Sequence, residues 1–296
     1  MTRRALPYPR RIELARTPTP LQLLQRASDK WGCGHRLWVK RDDLTGCILS
    51  GNKIRKLEFI AAHAQDQGCD TLITCGGLQS NHCRATAFVG ARLGLKVHLI
   101  LRGEHPDLAD GNFLLDQLAG ANISCYEPRR YFREERELFA HWQEHYARGG
   151  GKALAIPTGG SDGIGVWGYV AGSEELGRDL HTAGIERAHV VTATGSGGTQ
   201  AGLTLGAALH RLPVTVWGVN VCDDEAYFLD KVAADVADWA ARNPGLQTVD
   251  IQPRVLDGYV GDGYGIAGPE VFELIAELAR TEGLVLDPVY TGKAFY

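Results

Sequence analysis

Three glycine-flanked stretches of this sequence bring together an amine, hydroxyls and unhindered backbone amides. The first is Ser50-Gly51-Asn52-Lys53, which puts a lysine at the start of a helical-period segment running to His63. A helix N-terminus carries partial positive charge, so the protonated form of Lys53 is disfavoured there and its neutral amine favoured. A neutral amine is a nucleophile that condenses with an aldehyde. Arg55 and Lys56 belong to other faces of the same predicted helix and are expected at the surface, paired with Glu58 or Asp66.

The second stretch, Thr194-Gly195-Ser196-Gly197-Gly198-Thr199, follows the β-branched run 188–193 and opens an apolar-periodic segment. Unhindered N–H groups, hydroxyls and a helix dipole together form a cradle for an anion. No Gly-Lys-Ser/Thr follows, which argues against a nucleotide P-loop, and the spacing misses the dinucleotide fingerprint. A single terminal phosphate fits better than a triphosphate. Pyridoxal phosphate carries both an aldehyde and a terminal phosphate, so Lys53 and residues 194–199 point to that cofactor.

In the third stretch, Gly76-Gly77-Leu78-Gln79-Ser80-Asn81-His82, Ser80 and Asn81 fall at a predicted strand-to-helix turn. Both are N-cap types in N-cap positions. The same turn suits a substrate carboxylate, and the Asn81 amide can donate to a phenolate oxygen. His82 reads equally as a structural histidine or an active one. Its neighbour Cys83 reads as core, because adjacent positions point to different faces of a helix, and no metal site is expected.

These loops need a scaffold. Short runs at 70–75, 96–101, 122–127, 152–157, 188–193 and 213–219 read as buried strands. Helical-period segments lie near 53–66, 81–93, 111–119, 131–147, 163–183, 199–210, 224–241 and 269–282, and glycine ends several of them. The alternation predicts an α/β architecture with parallel strands and right-handed crossovers. Ligands in such sheets bind beyond the carboxyl ends of the strands, so the three glycine-rich loops after strands, CGGLQSNH, PTGGSDGIG and ATGSGGTQAG, are expected to converge on one pocket.

The 296 residues are 44% hydrophobic and 22% charged with a net charge of −4, the balance of an enzyme-sized protein with no nucleic-acid or acidic-membrane partner. No apolar run is long enough to span a bilayer, and Arg3 and Arg4 are not followed by the apolar core of a secretory signal. A cytoplasmic location is expected. Seven cysteines without a CxxC pair predict reduced, mostly buried thiols.

Taken in order, SGNKIRKLEF, GGLQSNHCRATA, TGSGGTQAGL, GDGYGIAGPE and LDPVYTGKA resemble the D-cysteine desulfhydrase and 1-aminocyclopropane-1-carboxylate (ACC) deaminase family. The resemblance covers nearly the whole chain. It implies the tryptophan synthase β-like fold (fold type II), with two open, twisted, mostly parallel sheets flanked by helices. It further implies a larger cofactor domain from 1–52 and 163–296, a smaller inserted domain at 53–162, and a homodimer. Members usually continue for a few dozen residues past the TGKA motif, whereas this chain ends at Tyr296. By this comparison the expectation is either a truncated C-terminus or a pocket left open on one side.

Residue by residue, the resemblance implies that Lys53 binds the cofactor covalently, Asn81 contacts its ring oxygen, and Thr194, Gly195, Ser196, Gly197, Gly198 and Thr199 hold its phosphate. Ser80 receives the substrate carboxylate and takes part in proton transfer, with Asn81 and His82 beside it. Tyr264 and Tyr290 lie on the substrate side, and Thr291 faces the pyridine nitrogen. The deaminase branch has glutamate at the position of Thr291. A carboxylate there keeps the ring nitrogen protonated, which opening a cyclopropane demands; a threonine hydroxyl does so less well. The expectation is therefore α,β-elimination from a cysteine-like amino acid, D-cysteine giving pyruvate, ammonia and hydrogen sulfide. ACC deamination, L-cysteate sulfo-lyase activity, β-replacement, and binding without turnover are the alternatives.

Overall fold

The computed structural model describes residues 6–247 and 249–296. Its first elements are β1 (Leu21–Leu23), α1 (Gln25–Trp31), β2 (Trp38–Lys40) and α2 (Asn52–Asp66). Next come β3 (Thr71–Gly77), α3 (Asn81–Leu93), β4 (Lys96–Arg102), α4 (Gly111–Leu118), β5 (Asn122–Tyr126), α5 (Pro128–Arg148) and β6 (Ala153–Ile156). The remainder is α6 (Val166–Thr182), β7 (Ala188–Thr194), α7 (Gly198–His210), β8 (Val214–Asn220), α8 (Glu225–Arg242), β9 (Val255–Leu256), α9 (Pro269–Glu282) and α10 (Thr291–Phe295).

The chain divides into two compact units, one from the segment up to Arg16 with Thr45–Gly168, the other from Thr17–Leu44 with Tyr169–Tyr296. In the first, parallel strands run in the order β5-β4-β3-β6, with Thr71 opposite Lys96 and Gly77 opposite Arg102. Thr71 through Cys75 are continuously buried, as a central parallel strand covered on both faces requires. Ile54, Leu57 and Ile60 of α2 pack in one core with Leu72, Val89, Leu99 and Phe113. Full burial of each such aliphatic side chain contributes about 1.5–3 kcal/mol. Gly94, in the left-handed region at φ +69, ends α3 and turns the chain into β4.

The second unit has the parallel order β7-β8-β9 and a short antiparallel pair, β1-β2. Val216 of β8 packs with Leu203 and Ala207 of α7 and Tyr169 of α6. Leu24 and Ala27 pack with Leu278 and Leu284. The strand expected at 188–193 is present, but it is not buried on both faces: Val191, on the edge strand β7, is 51% exposed. All seven cysteines are free thiols; Cys69, Cys75 and Cys83 are buried, whereas Cys33 and Cys47 are exposed.

Candidate active site

In the first unit, Gly51 is the N-cap of α2 at φ +88 and ψ 178, a conformation that favours glycine, and no side chain caps this helix end. Lys53 therefore stands in the opening turn. It is partly buried, and desolvation lowers its ammonium pKa to about 8, with no carboxylate among the described residues holding the charge. Burial thus does the work that the sequence argument gave to the helix end.

The surface placement expected for Arg55 and Lys56 is wrong: they are 5% and 0% exposed. Residues 54–62 form an unbroken buried run, so α2 has no solvated face there. A Cβ on Gly168 would come within 2.5 Å of the Arg55 carbonyl oxygen, so only glycine lets the start of α6 lie this close to α2. Lys56 Nζ donates to Ser161 Oγ at 3.3 Å. Asp66 is paired with Arg10, while Glu58 Oε1 accepts from the Leu14 and Ala15 amides, both at 2.8 Å.

At the start of α3, Ser80 Oγ accepts from the Cys83 amide at 3.1 Å. It is an N-cap, and its hydroxyl also lies within hydrogen-bond reach of the Cys83 sulfur. Arg84, one turn on, donates to the Ile48 carbonyl at 2.6 Å and the Ser50 carbonyl at 3.4 Å, tying α3 to the turn before Lys53. Asn81 Oδ1 accepts from Asn112 Nδ2 at 2.9 Å.

His82 is buried, and its Nε2 lies 2.9 Å from Thr74 Oγ1, which itself donates to the Ile156 carbonyl. With that hydroxyl proton committed, Nε2 must be the donor and Nδ1 carries the lone pair, unpartnered among the described residues. Desolvation, then the charges of Lys53 and Lys56, hold the imidazole well below its ordinary pKa, so the ring is neutral.

In the second unit, β7 delivers Thr194 to the turn and α7 begins at Gly198. Thr194 is buried, and its Oγ1 has no partner among the described residues. A Cβ on Gly195 would lie 3.0 Å from Tyr290 Cε1, and one on Gly197, at φ +80, would lie 2.9 Å from Lys231 Cγ. A backbone cradle closed to side chains, with an orphaned hydroxyl at its entrance, suits a phosphate oxygen. The residues present therefore fit a phosphorylated cofactor.

Tyr264 and Tyr290 meet through their hydroxyls at 2.6 Å. Lys293, 2% exposed, donates to the Val260 carbonyl at 2.6 Å and the Gly263 carbonyl at 3.0 Å, which holds the loop carrying Tyr264. Asp287 organises the next turn: Oδ1 accepts from the Val289 and Tyr290 amides, and Oδ2 from the Thr291 amide. Thr291 Oγ1 donates to Asp287 Oδ2 at 2.5 Å and accepts from the Asp287 amide at 2.9 Å. Its proton is thus committed to a carboxylate, leaving it only acceptor capacity for anything else.

Asp287, Lys293, Arg84 and Asn112 escaped the reading from sequence. Asp287 and Lys293 stand inside the quoted LDPVYTGKA motif, and the i,i+4 spacing of Asp287 and Thr291 was the available signal. Asn112 lies outside every quoted motif.

Residues 12–296 match the family described as pyridoxal-phosphate dependent enzymes, and the chain belongs to it. Its cofactor is pyridoxal phosphate, and both the family resemblance and the fold class drawn from the motifs are borne out. The chain is 40% identical over 299 residues to the Arabidopsis thaliana protein named bifunctional D-cysteine desulfhydrase/1-aminocyclopropane-1-carboxylate deaminase, mitochondrial, covering 96% of this chain and 71% of that one. It is 39% identical over 290 residues to a D-cysteine desulfhydrase of Klebsiella pneumoniae strain 342, covering 96% of this chain and 86% of that one. A solved structure described as an ACC deaminase homologue superposes with a TM-score of 0.85 at 36% identity, over 97% of this chain and 85% of that chain.

Proposed function

We propose that the enzyme is a pyridoxal phosphate lyase acting on D-cysteine, with Lys53 as the residue that takes the cofactor's aldehyde and residues 194–199 as those suited to its phosphate. D-cysteine and water would give pyruvate, ammonia and hydrogen sulfide. The observation that carries this reading is the Lys53 amine, whose pKa burial lowers to about 8 beside a helix end that no side chain caps. When bound, the cofactor supplies an aldehyde for that amine and a ring that takes up the negative charge left at the substrate α-carbon.

The chain's residues do the rest. Lys53 Nζ removes the α-proton, a task suited to an amine that regains its neutral form near the working pH. Ser80 donates its hydroxyl proton to the substrate carboxylate, and the Asn81 amide to the cofactor's ring oxygen. The Tyr264–Tyr290 pair offers a proton to the departing thiolate. The motif resemblance supports a homodimer, and the lack of a recognisable secretory signal in the sequence supports a cytoplasmic location; among the described residues no helix is long and apolar enough to cross a membrane.

A second reading, in which ACC and water give 2-oxobutyrate and ammonia, is favoured by Asp287. Its carboxylate is one hydrogen bond behind Thr291, so threonine here comes with the negative charge that the electron-sink argument found missing. Ketoacid release from D-cysteine, L-cysteine, β-chloro-D-alanine, L-cysteate and ACC separates the readings. Pyruvate with sulfide from D-cysteine is expected; dominant 2-oxobutyrate from ACC would select the second. No ketoacid from any of them, with cofactor bound, would leave a binding protein.

A further inference from the structure

The orientation of the Asn81 amide is set by a clasp from α4. Gln79 Oε1 accepts from the Asn112 backbone amide at 2.7 Å, and its Nε2 donates to Asp110 Oδ1 at 2.9 Å. Gly111, at φ +49, makes this possible, because a Cβ there would fall 2.4 Å from Gln79 Oε1. Asn112 Nδ2 in turn donates to the Gln79 carbonyl at 2.9 Å and to Asn81 Oδ1 at 2.9 Å.

Amide oxygens and nitrogens are hard to tell apart by shape, but here backbone groups decide each one. The Asn112 amide nitrogen requires an oxygen from Gln79, and the Gln79 carbonyl requires a nitrogen from Asn112. That nitrogen also reaches Asn81, so Asn81 must turn its oxygen inward and its NH2 outward. Holding the start of α4 needs only the Gln79 contacts. The Asn112–Asn81 bond is additional to that cap.

We propose that Asn112 is a positioning residue: it commits the Asn81 amide to presenting Nδ2, a donor, to an anionic oxygen of the bound ligand. This deepens the reading above and rests on its assignment of Asn81 to the cofactor's ring oxygen. A free Asn81 would present either end. An Asn81 reversed by an acceptor at position 112 would present a lone pair to an oxyanion, an unfavourable contact.

The test is N112D, which keeps the shape and reverses the donor, alongside N112A, which removes it. In titrations of the cofactor-free protein with pyridoxal phosphate, N112D is expected to weaken binding roughly tenfold or more and to shift the absorbance maximum of the bound cofactor. N112A should weaken it less. In the N81A background the N112A effect on affinity should vanish, because a residue acting through Asn81 has nothing left to orient. Should N112D not fold, the N112A and N81A pair carries the same test. An N112A effect undiminished by N81A, or an N112D protein with wild-type affinity and absorbance, would overturn the inference. Failure of the wild-type protein to bind pyridoxal phosphate would instead overturn the functional reading on which it rests.

Discussion

The hydroxyls of Tyr264 and Tyr290 lie 2.6 Å apart, so each fixes where the other's proton can go. Burial, reinforced by Tyr264, pushes the Tyr290 phenol up, and it stays protonated at ordinary pH. The pair is therefore a proton source rather than a base. Y290F is expected to lower kcat on the order of 10²-fold. Y264F removes one hydrogen bond and should cost about tenfold. Steady-state kinetics at saturating cofactor checks both, and wild-type kcat in Y290F would remove the tyrosines from the proton path.

Burial of Lys53 predicts a pH-dependent stability cost. Its folded pKa is about 8 against an ordinary 10.5. Below 8 the amine is protonated in both folded and unfolded chains, so the full cost of burying the charge is present. Between 8 and 10.5 the unfolded chain binds more protons than the folded one, and the cost is relieved as pH rises. Cofactor-free K53M should therefore be more stable than wild type at pH 7, by at most about 3 kcal/mol. The difference should shrink towards zero as pH approaches 10.5. Urea unfolding at several pH values measures it, and a difference independent of pH would contradict the assignment.

Asp287 and Thr291 should set the balance between substrates. D287N leaves the Thr291 hydroxyl without its carboxylate acceptor. It should lower kcat/KM for ACC more than for D-cysteine, by about tenfold in the ratio. T291E supplies the carboxylate directly and should move the ratio the other way. The same ratio in all three proteins would mean that this turn acts on structure alone.

Arg84 should matter through the turn it holds. R84Q loses both bonds to the Ile48 and Ser50 carbonyls. Misplacing Lys53 by an ångström is enough to lower kcat on the order of 10²-fold. R84K, with a single point donor in place of a fork, should recover part of it. Faster amide exchange over residues 48–53 in R84Q should accompany the loss, and unchanged kcat in R84Q would show that the turn holds itself.

Much of the fold was legible because its patterns are local. Thr71–Cys75 and Lys96–Leu101 are continuous strand formers, and Gly94 sits where α3 must stop. The pairing of Leu21–Leu23 with Trp38–Lys40, and the strand Val255–Leu256, were not legible, since runs of two or three residues carry no period. Lys56 misled for a different reason. Its burial depends on packing around α2 and on a hydroxyl at Ser161, far along the chain, and local charge says nothing of either. At Ser80 the sequence could not separate cap from ligand; the hydrogen bond from the Cys83 amide shows the cap. Asn112 was invisible because its meaning lies in Gln79 and Asn81, on the other side of a helix, a strand and a loop.

The claim beneath this account is that one amine, at position 53, carries the vitamin-B6 aldehyde. Reduction of the cofactor-loaded protein with borohydride, followed by peptide mass mapping, reads that bond directly. The expected product is a phosphopyridoxyl group on Lys53. A group on Lys56 or Lys293 instead, or none on any lysine of a protein whose absorbance shows bound cofactor, would contradict it.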